Sequence, residues 1–578
     1  MSRGCHLTCA MGLAFSLTSA GALGEEPDLI LHRGKIVTVD RAFTVQDAMA
    51  IRGGKILRVG SDEDILKLKG PQTELLDLGG KMVLPGLIDS HTHPGSAAMI
   101  EFDHTIPEME SIRDVLNYID ARANVLPNGQ WIEVRQVFIT RLREQRYPTR
   151  AELDRAAPNH PVIFSTGPDA SLNSRALQLC GIDKNFRIPD GVPGRIEKDA
   201  QGEPTGILRT YANYVKAVKS SERKPREEDY LARLRQLFHD YNSVGLTSVV
   251  DRSADPANIE RYQKLLAGAE LTVRMSVSHH IATAGPIEEI QQRIRDVAKH
   301  RLFKGDSMLR IIGIKTFLDG GMLTGSAYMR EPWGVSDVYA ITDPDYRGVL
   351  FIPKERLLPI VRTAVESGLQ FTAHSVGDGA VHTLLDVYEE IDHSRPIRST
   401  RPCITHCNFM SREAVEKAAK LGVVIDMQPA WLYLDTRTLV KQFGYDRLRY
   451  FQPLQSIFKA GGIAGGGSDH MQKIGSLRSI NPYNPFLAMW TTIARKARWF
   501  DGVLHPEEAL TREQAIRFYT ANNAWLLFRE SEIGSLEAGK LADFIVVDRD
   551  LLTCPVDDIR SAQVLRTYLN GKLVFKSE

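Results

Sequence analysis

Two histidines two residues apart, His91 and His93, end the apolar stretch "VLPGLIDSHTHP" at 83–94. In an extended strand, residues two apart point to the same side, so both imidazoles aim at one place. Neutral imidazoles are ligands for zinc-type divalent ions. Four further residues stand in a similar relation to apolar, β-branched stretches: Lys315 in "LRIIGIKTF", His374 ending "LQFTAH", His406 in "CITHC" and Asp469 ending "GIAGGGSD". A single histidine at a strand end more often makes a hydrogen bond than binds a metal. Four imidazoles and a carboxylate gathered at one mouth would meet the needs of a metal site. Lys315 lies too deep in an apolar run to suit a surface lysine.

Gathering them requires strands whose C-terminal ends share one face. The stretches "MVLPGLIDSH", 247–251, 271–279, 309–317, 369–374, 403–407, 423–429 and 462–469 read as strands, and helix-like segments separate most of them. That alternation predicts an α/β fold, a (β/α)8 TIM barrel, with residues at the C-terminal strand ends facing the site. The gap 95–246 is too long for one crossover helix and predicts an insertion after the first barrel strand, at about 100–215. Residues 28–84 and the C-terminal "ADFIVVDRD" and "QVLRTYLNGKLVF" alternate short apolar runs with glycine turns, and Asn570-Gly571 is a hairpin signal. The two chain ends are expected to pair as one small β-sandwich domain, 25–84 plus 531–578, around a barrel over 85–530.

The bulk composition narrows the function classes. A formal net charge of +1 without a long basic run argues against a nucleic-acid surface. Residues 1–24 carry Arg3, an uncharged apolar stretch and small residues at 22–24. These are the parts of a cleaved signal peptide, so a periplasmic or secreted location is expected. No second apolar run of membrane-spanning length follows. Of six cysteines, Cys5 and Cys9 would leave with the signal. Cys180, Cys403, Cys407 and Cys554 are too few for a disulfide scaffold, and the sequence assigns no bridge among them.

Several motifs together resemble the amidohydrolase superfamily: "LPGLIDSHTHP", "GIKTFLDGG", "FTAHSVGDGAVHTLLDVYE", "THC" and "GGGSDH". The segments "PTRAEL", "GEPTGIL" and "YTANNAWLL...IGSLEAGKLADFIVVD" resemble its type 3 branch, to which N-substituted formamide deformylase belongs. The resemblance covers roughly residues 28–578. It implies one or two divalent ions, Zn2+ first among them. His91, His93 and Asp469 would hold the deeper ion, and His374 and His406 the second. Lys315 would bridge both as a carbamate, an anionic carboxylate mimic that forms from a neutral amine and CO2; burial favours the neutral amine. The implied activity is hydrolysis of an amide, formamide or cyclic amide of a small molecule by metal-activated water, with Asp469 moving the proton.

The sequence departs from the family around the substrate. "GPDASLNS" (167–174) places Asp169 where relatives often carry a histidine-containing segment, and Arg209-Thr210 follows "PTGIL" where an acid is usual. Trp431 and Tyr433 in "PAWLYLD" are expected to wall an apolar pocket, or to pack as loop residues. His280 and His470, near strand ends, are further candidates to touch substrate. Two alternatives stay open: ester or lactone hydrolysis on the same scaffold, and a non-catalytic regulatory or binding role. A homodimer is an open expectation.

Overall fold

The computed structural model describes residues 26–135, 137–166, 169–189, 194–209, 211–215, 224–303 and 305–578. The expected signal peptide lies outside the described residues.

Eight parallel strands form the centre: β1 (Leu87–Thr92), β2 (Leu246–Ala254), β3 (Arg274–His280), β4 (Leu309–Phe317), β5 (Gln370–Ser375), β6 (Cys403–His406), β7 (Val424–Met427) and β8 (Ile463–Gly466). They lie side by side in chain order, the sequential winding of a (β/α)8 barrel. Helices between them cover the outer face with apolar stripes. In Ile287–Lys299, Ile290, Ile294 and Val297 are buried at helical spacing. Arg412–Leu421 starts where the Ser411 side chain accepts from the Ala414 amide and stops at Gly422 in the left-handed region, φ 70°.

The barrel closes between β8 and β1 with help from outside the two strands. Asp469 N donates to His91 O at 2.8 Å and His93 N to His470 O at 2.7 Å. Lower down, the Asn523 amide donates to the carbonyls of both Ile88 and Gly466. The glycines of "GGGSD" follow from this crowding. A Cβ on Gly465 would meet Asn523 Oδ1 at 2.1 Å, and one on Gly467 would meet the His91 Cβ at 2.7 Å. Side chains there would push the first ligand strand away.

Both chain ends join one six-stranded sheet. Phe544–Val547 pairs antiparallel with Met82–Pro85, matching Phe544 to Pro85 and Val547 to Met82. A four-stranded sheet from residues 29–77 packs nearby, and Leu31, Ile51, Val83, Phe544 and Tyr568 share one buried cluster. Between β1 and β2 the insertion carries its own five-stranded sheet, from Ile132–Arg135 to Pro204–Arg209. No helix of the described residues is long and apolar enough to cross a membrane. Cys180, Cys403, Cys407 and Cys554 are all free thiols, so none of them forms a bridge.

Candidate metal centre

His91 sits on β1 and His93 one residue beyond it, at the start of helix Pro94–Met99. Their Nε2 atoms stand 3.2 Å apart. Asp469 Oδ1 lies 3.3 Å from each. Three donor atoms bound at about 2.1 Å to one tetrahedral ion would stand about 3.3–3.4 Å apart, so this triangle fits a divalent ion. It is also the one cluster of three or more His, Cys, Asp or Glu donors among the described residues that could hold a metal.

Neighbouring side chains orient the rings. His91 Nδ1 donates to Asp426 Oδ2 at 3.0 Å, which leaves Nε2 with its lone pair. His406 Nδ1 donates to Gln428 Oε1 at 2.7 Å, again leaving Nε2. His374 Nε2 donates to Gly320 O at 3.3 Å, leaving Nδ1. These tautomers are inferred from the partners. The rings form a chain: His93 to His91, centroids 5.1 Å apart; His91 to His406, 5.0 Å; His406 to His374, 4.5 Å. Burial favours the neutral ring at three of these imidazoles, lowering His91, pushing His374 down to about 3 and holding His406 well below its usual value. Neutral rings keep the lone pairs that a cation needs.

Lys315 lies two residues before the end of β4, 1% exposed, with its nitrogen 4.3 Å from the centre of the Phe317 ring. Burial pushes its pKa down to about 8 against the pull of Asp469 and Asp426. Burial raises the Asp469 carboxyl, but His91, His93 and Lys315 outweigh it and hold Asp469 below its ordinary value. Asp469 and His406 both have left-handed backbone, φ 56° and 79°, which non-glycine residues seldom adopt. Such strain gathers at sites where geometry matters more than local stability.

The remaining sequence candidates separate. Trp431 stands against His406 with ring centroids 5.8 Å apart, and its buried Nε1 has no hydrogen-bond partner. His280 ends β3 in register with Lys315, its Nδ1 3.1 Å from Ser253 Oγ. Tyr433 packs edge-on against Trp490 at 6.1 Å and lines a neighbouring cavity. Asp169 belongs to the insertion sheet, where Tyr147 and Arg209 each donate to it at 3.2 Å. His470 is 0% exposed, and its ring is spent on the protein itself. Nε2 meets Gln472 O and Lys473 O at 2.7 and 2.8 Å, and Nδ1 meets the Tyr241 hydroxyl at 2.8 Å. Its carbonyl, not its ring, serves the site, by accepting from His93 N.

Several site residues escaped the sequence reading. Asp426 and Gln428 sit two apart at the end of β7 and support His91 and His406. A polar pair inside "VVIDMQP" was the available signal. Arg252, fully buried, stands 3.4 Å from Asp426 and donates to Ser90 O. Asn481 donates to Asp469 O at 2.8 Å and accepts from Arg141 at 3.0 Å. No local pattern marks that last chain of contacts.

The model of the amidohydrolase family matches residues 74–575. The chain belongs to the amidohydrolase family. It is similar to N-substituted formamide deformylase of Arthrobacter pascens, 30% identical over 95% of this chain and 98% of the relative. It is also similar to the Arabidopsis thaliana protein LONG AFTER FAR-RED 3, 27% identical over 96% of this chain and 92% of that protein. Among solved structures it resembles a metal-dependent hydrolase from Pyrococcus horikoshii, with TM-score 0.66 and 22% identity over 92% of this chain and 99% of that one. This amidohydrolase is an enzyme that hydrolyses carbon–nitrogen bonds of small molecules in a metal-dependent way.

Proposed function

We propose that the amidohydrolase cleaves the C–N bond of an amide, formamide or cyclic amide, with Zn2+ at the His91–His93–Asp469 triangle. The observation that carries this reading is the triangle itself, with edges of 3.2–3.3 Å, backed by the Asp426 bond that frees His91 Nε2. The similarity to a formamide deformylase over 95% of the chain supports the choice of bond. A nitrogen-and-carboxylate donor set suits Zn2+.

A divalent ion held there supplies Lewis-acid polarisation of the carbonyl and lowers the pKa of water toward neutrality. Asp469, kept ionised by its neighbours, takes the proton of the attacking water and hands it to the departing nitrogen. The Trp431 Nε1–H, buried and unpartnered beside His406, offers a donor to the substrate. His374 and His406 supply two neutral nitrogens to a second ion and bring no carboxylate of their own. Lys315 fills that gap if its neutral amine adds CO2, forming an N–C bond and releasing a proton to give an anionic carbamate. The first 24 residues extend the proposal to an exported enzyme, whose mature chain would begin at Glu25 on N-terminal sequencing.

The test is a panel of N-formyl and N-acyl amines, cyclic amides and matched esters, presented to the zinc-loaded protein. Amine release from at least one amide class is expected, and Asp469→Asn should remove it. Turnover of esters with none of any amide would sink the assignment.

A further inference from the structure

Beside the barrel mouth, between the insertion and the loop after β8, lies a cavity of about 390 Å³. Ile100, Phe138 and Leu487 give it apolar walls. Its charged lining is lopsided, with six basic side chains against two acidic ones, Glu108 and Glu110. Four of the five arginines already have carboxylate partners, Arg135 with Glu133 at 2.6 Å among them. Arg141 pairs with Asp435 at 2.8 Å, Arg478 with Glu101 at 2.8 Å, and Arg498 with Glu110.

Lys473 differs. It is 4% exposed, and its ammonium donates to a single protein acceptor, the Pro107 carbonyl, at 2.8 Å. Among the described residues no carboxylate stands within ion-pair distance of it. An ammonium has three N–H donors, so two are left without a protein partner. A buried cation in that state is costly unless an anion joins it. Two further observations mark the same spot. The side-chain amide of Gln472, also in the cavity lining, is buried with neither its oxygen nor its nitrogen hydrogen-bonded. The Lys473 backbone is left-handed, φ 55°, a conformation lysine seldom takes. The chain thus spends backbone strain to hold an unmatched cation on this wall.

The cavity and the metal centre share a partition. Arg141 lines the cavity and lies 5.5 Å over the Trp431 ring, which itself stands against His406. We propose that this cavity is a substrate subsite for a carboxylate carried on an apolar body, with Lys473 as its counter-ion and the Gln472 amide as a second partner. The inference rests on the reading of the protein as an amide hydrolase and names the substrate class within it: amides whose apolar substituent ends in a carboxylate.

Calorimetric titration of the full-length, metal-loaded protein with 4-phenylbutyrate and with its neutral analogue 4-phenylbutanol reads the subsite without turnover. The acid should bind roughly tenfold or more tightly than the alcohol, as a charge-assisted bond to a buried ammonium implies. Lys473→Met should erase that preference at unchanged metal content, while Lys473→Arg should retain it. Equal affinity for acid and alcohol, or a preference that survives in K473M, overturns the inference. In the kinetic arm, paired formamides with and without the carboxylate should show K473M raising KM for the acid alone. A protein that prefers the acid in the titration yet hydrolyses neither formamide keeps the subsite and loses the hydrolase reading.

Discussion

His91 is backed by a buried carboxylate at 3.0 Å, whereas His374 leans on a backbone carbonyl at 3.3 Å. The contrast runs through the two halves of the centre. On one side, two imidazoles and Asp469 converge in a tight triangle, and Asp426, Arg252 and Asn481 hold that triangle in place. On the other, two imidazoles face each other 4.5 Å apart with a lysine in place of a carboxylate. The first half is built from the polypeptide alone. The second is short of one negative charge, which a modified Lys315 would supply. A site assembled this way can have two ions of unequal affinity.

The comparison can be broken most sharply at the triangle. His91→Ala with His93→Ala should strip the first ion and lower turnover by roughly a thousandfold or more, read by elemental analysis and by amide hydrolysis; full metal content in that variant would end the assignment. Next comes Lys315→Ala. About one ion per chain should be lost and one kept, with activity falling roughly a hundredfold, and short carboxylic acids should restore part of both. Loss of both ions together would show that the halves are not separable.

A smaller effect is expected from Asp426→Asn. Ion affinity at the triangle should drop about tenfold to a hundredfold, and thermal unfolding should come earlier because Arg252 would stay buried without its carboxylate. Chelator titration and a melting curve read the two effects. Gln428→Leu should cost His406 its orienting bond and lower second-ion affinity a few-fold, with a lesser loss at the triangle, because the Gln428 amide also donates to Asp426 Oδ1 at 3.1 Å.

Lys315 also sets a pH dependence. Its pKa is pushed down to about 8, so the amine is protonated below that pH and neutral above it. Only the neutral form adds CO2. At a fixed concentration of dissolved CO2, recovery of the stripped enzyme should therefore speed up as pH rises through about 8, and level off beyond it. A recovery rate flat from pH 6.5 to 9 would remove the carbamate from the reading.

The strand-end residues were legible in the sequence because each punctuates an apolar run, and because chain order equals strand order in this barrel. The glycines of "GGGSD" were legible as a motif, but their reason, the close passage of β8 past His91 and Asn523, needs three dimensions. His470 shows the limit from the other side. Its position beside Asp469 pointed to substrate, yet tertiary contacts with Tyr241, Gln472 and Lys473 claim its ring. Arg141 lies 294 residues from Asp435 and 340 from Asn481, so no periodicity connects them. Contacts of that span are fixed by how the insertion settles on the barrel, and the insertion carries no repeating pattern that would place it.

The strand Phe544–Val547 pairs with Met82–Pro85, immediately ahead of β1. Ribosomes deliver a chain from its N-terminus, so His91 and His93 emerge long before the segment that fixes the strand leading into them. Until residue 547 is free, Met82–Pro85 lacks its antiparallel neighbour on that side. The metal site is thus an event of completed synthesis. Nascent chains halted between Asp469 and Phe544 would carry every ligand residue and still lack the finished support for the first pair.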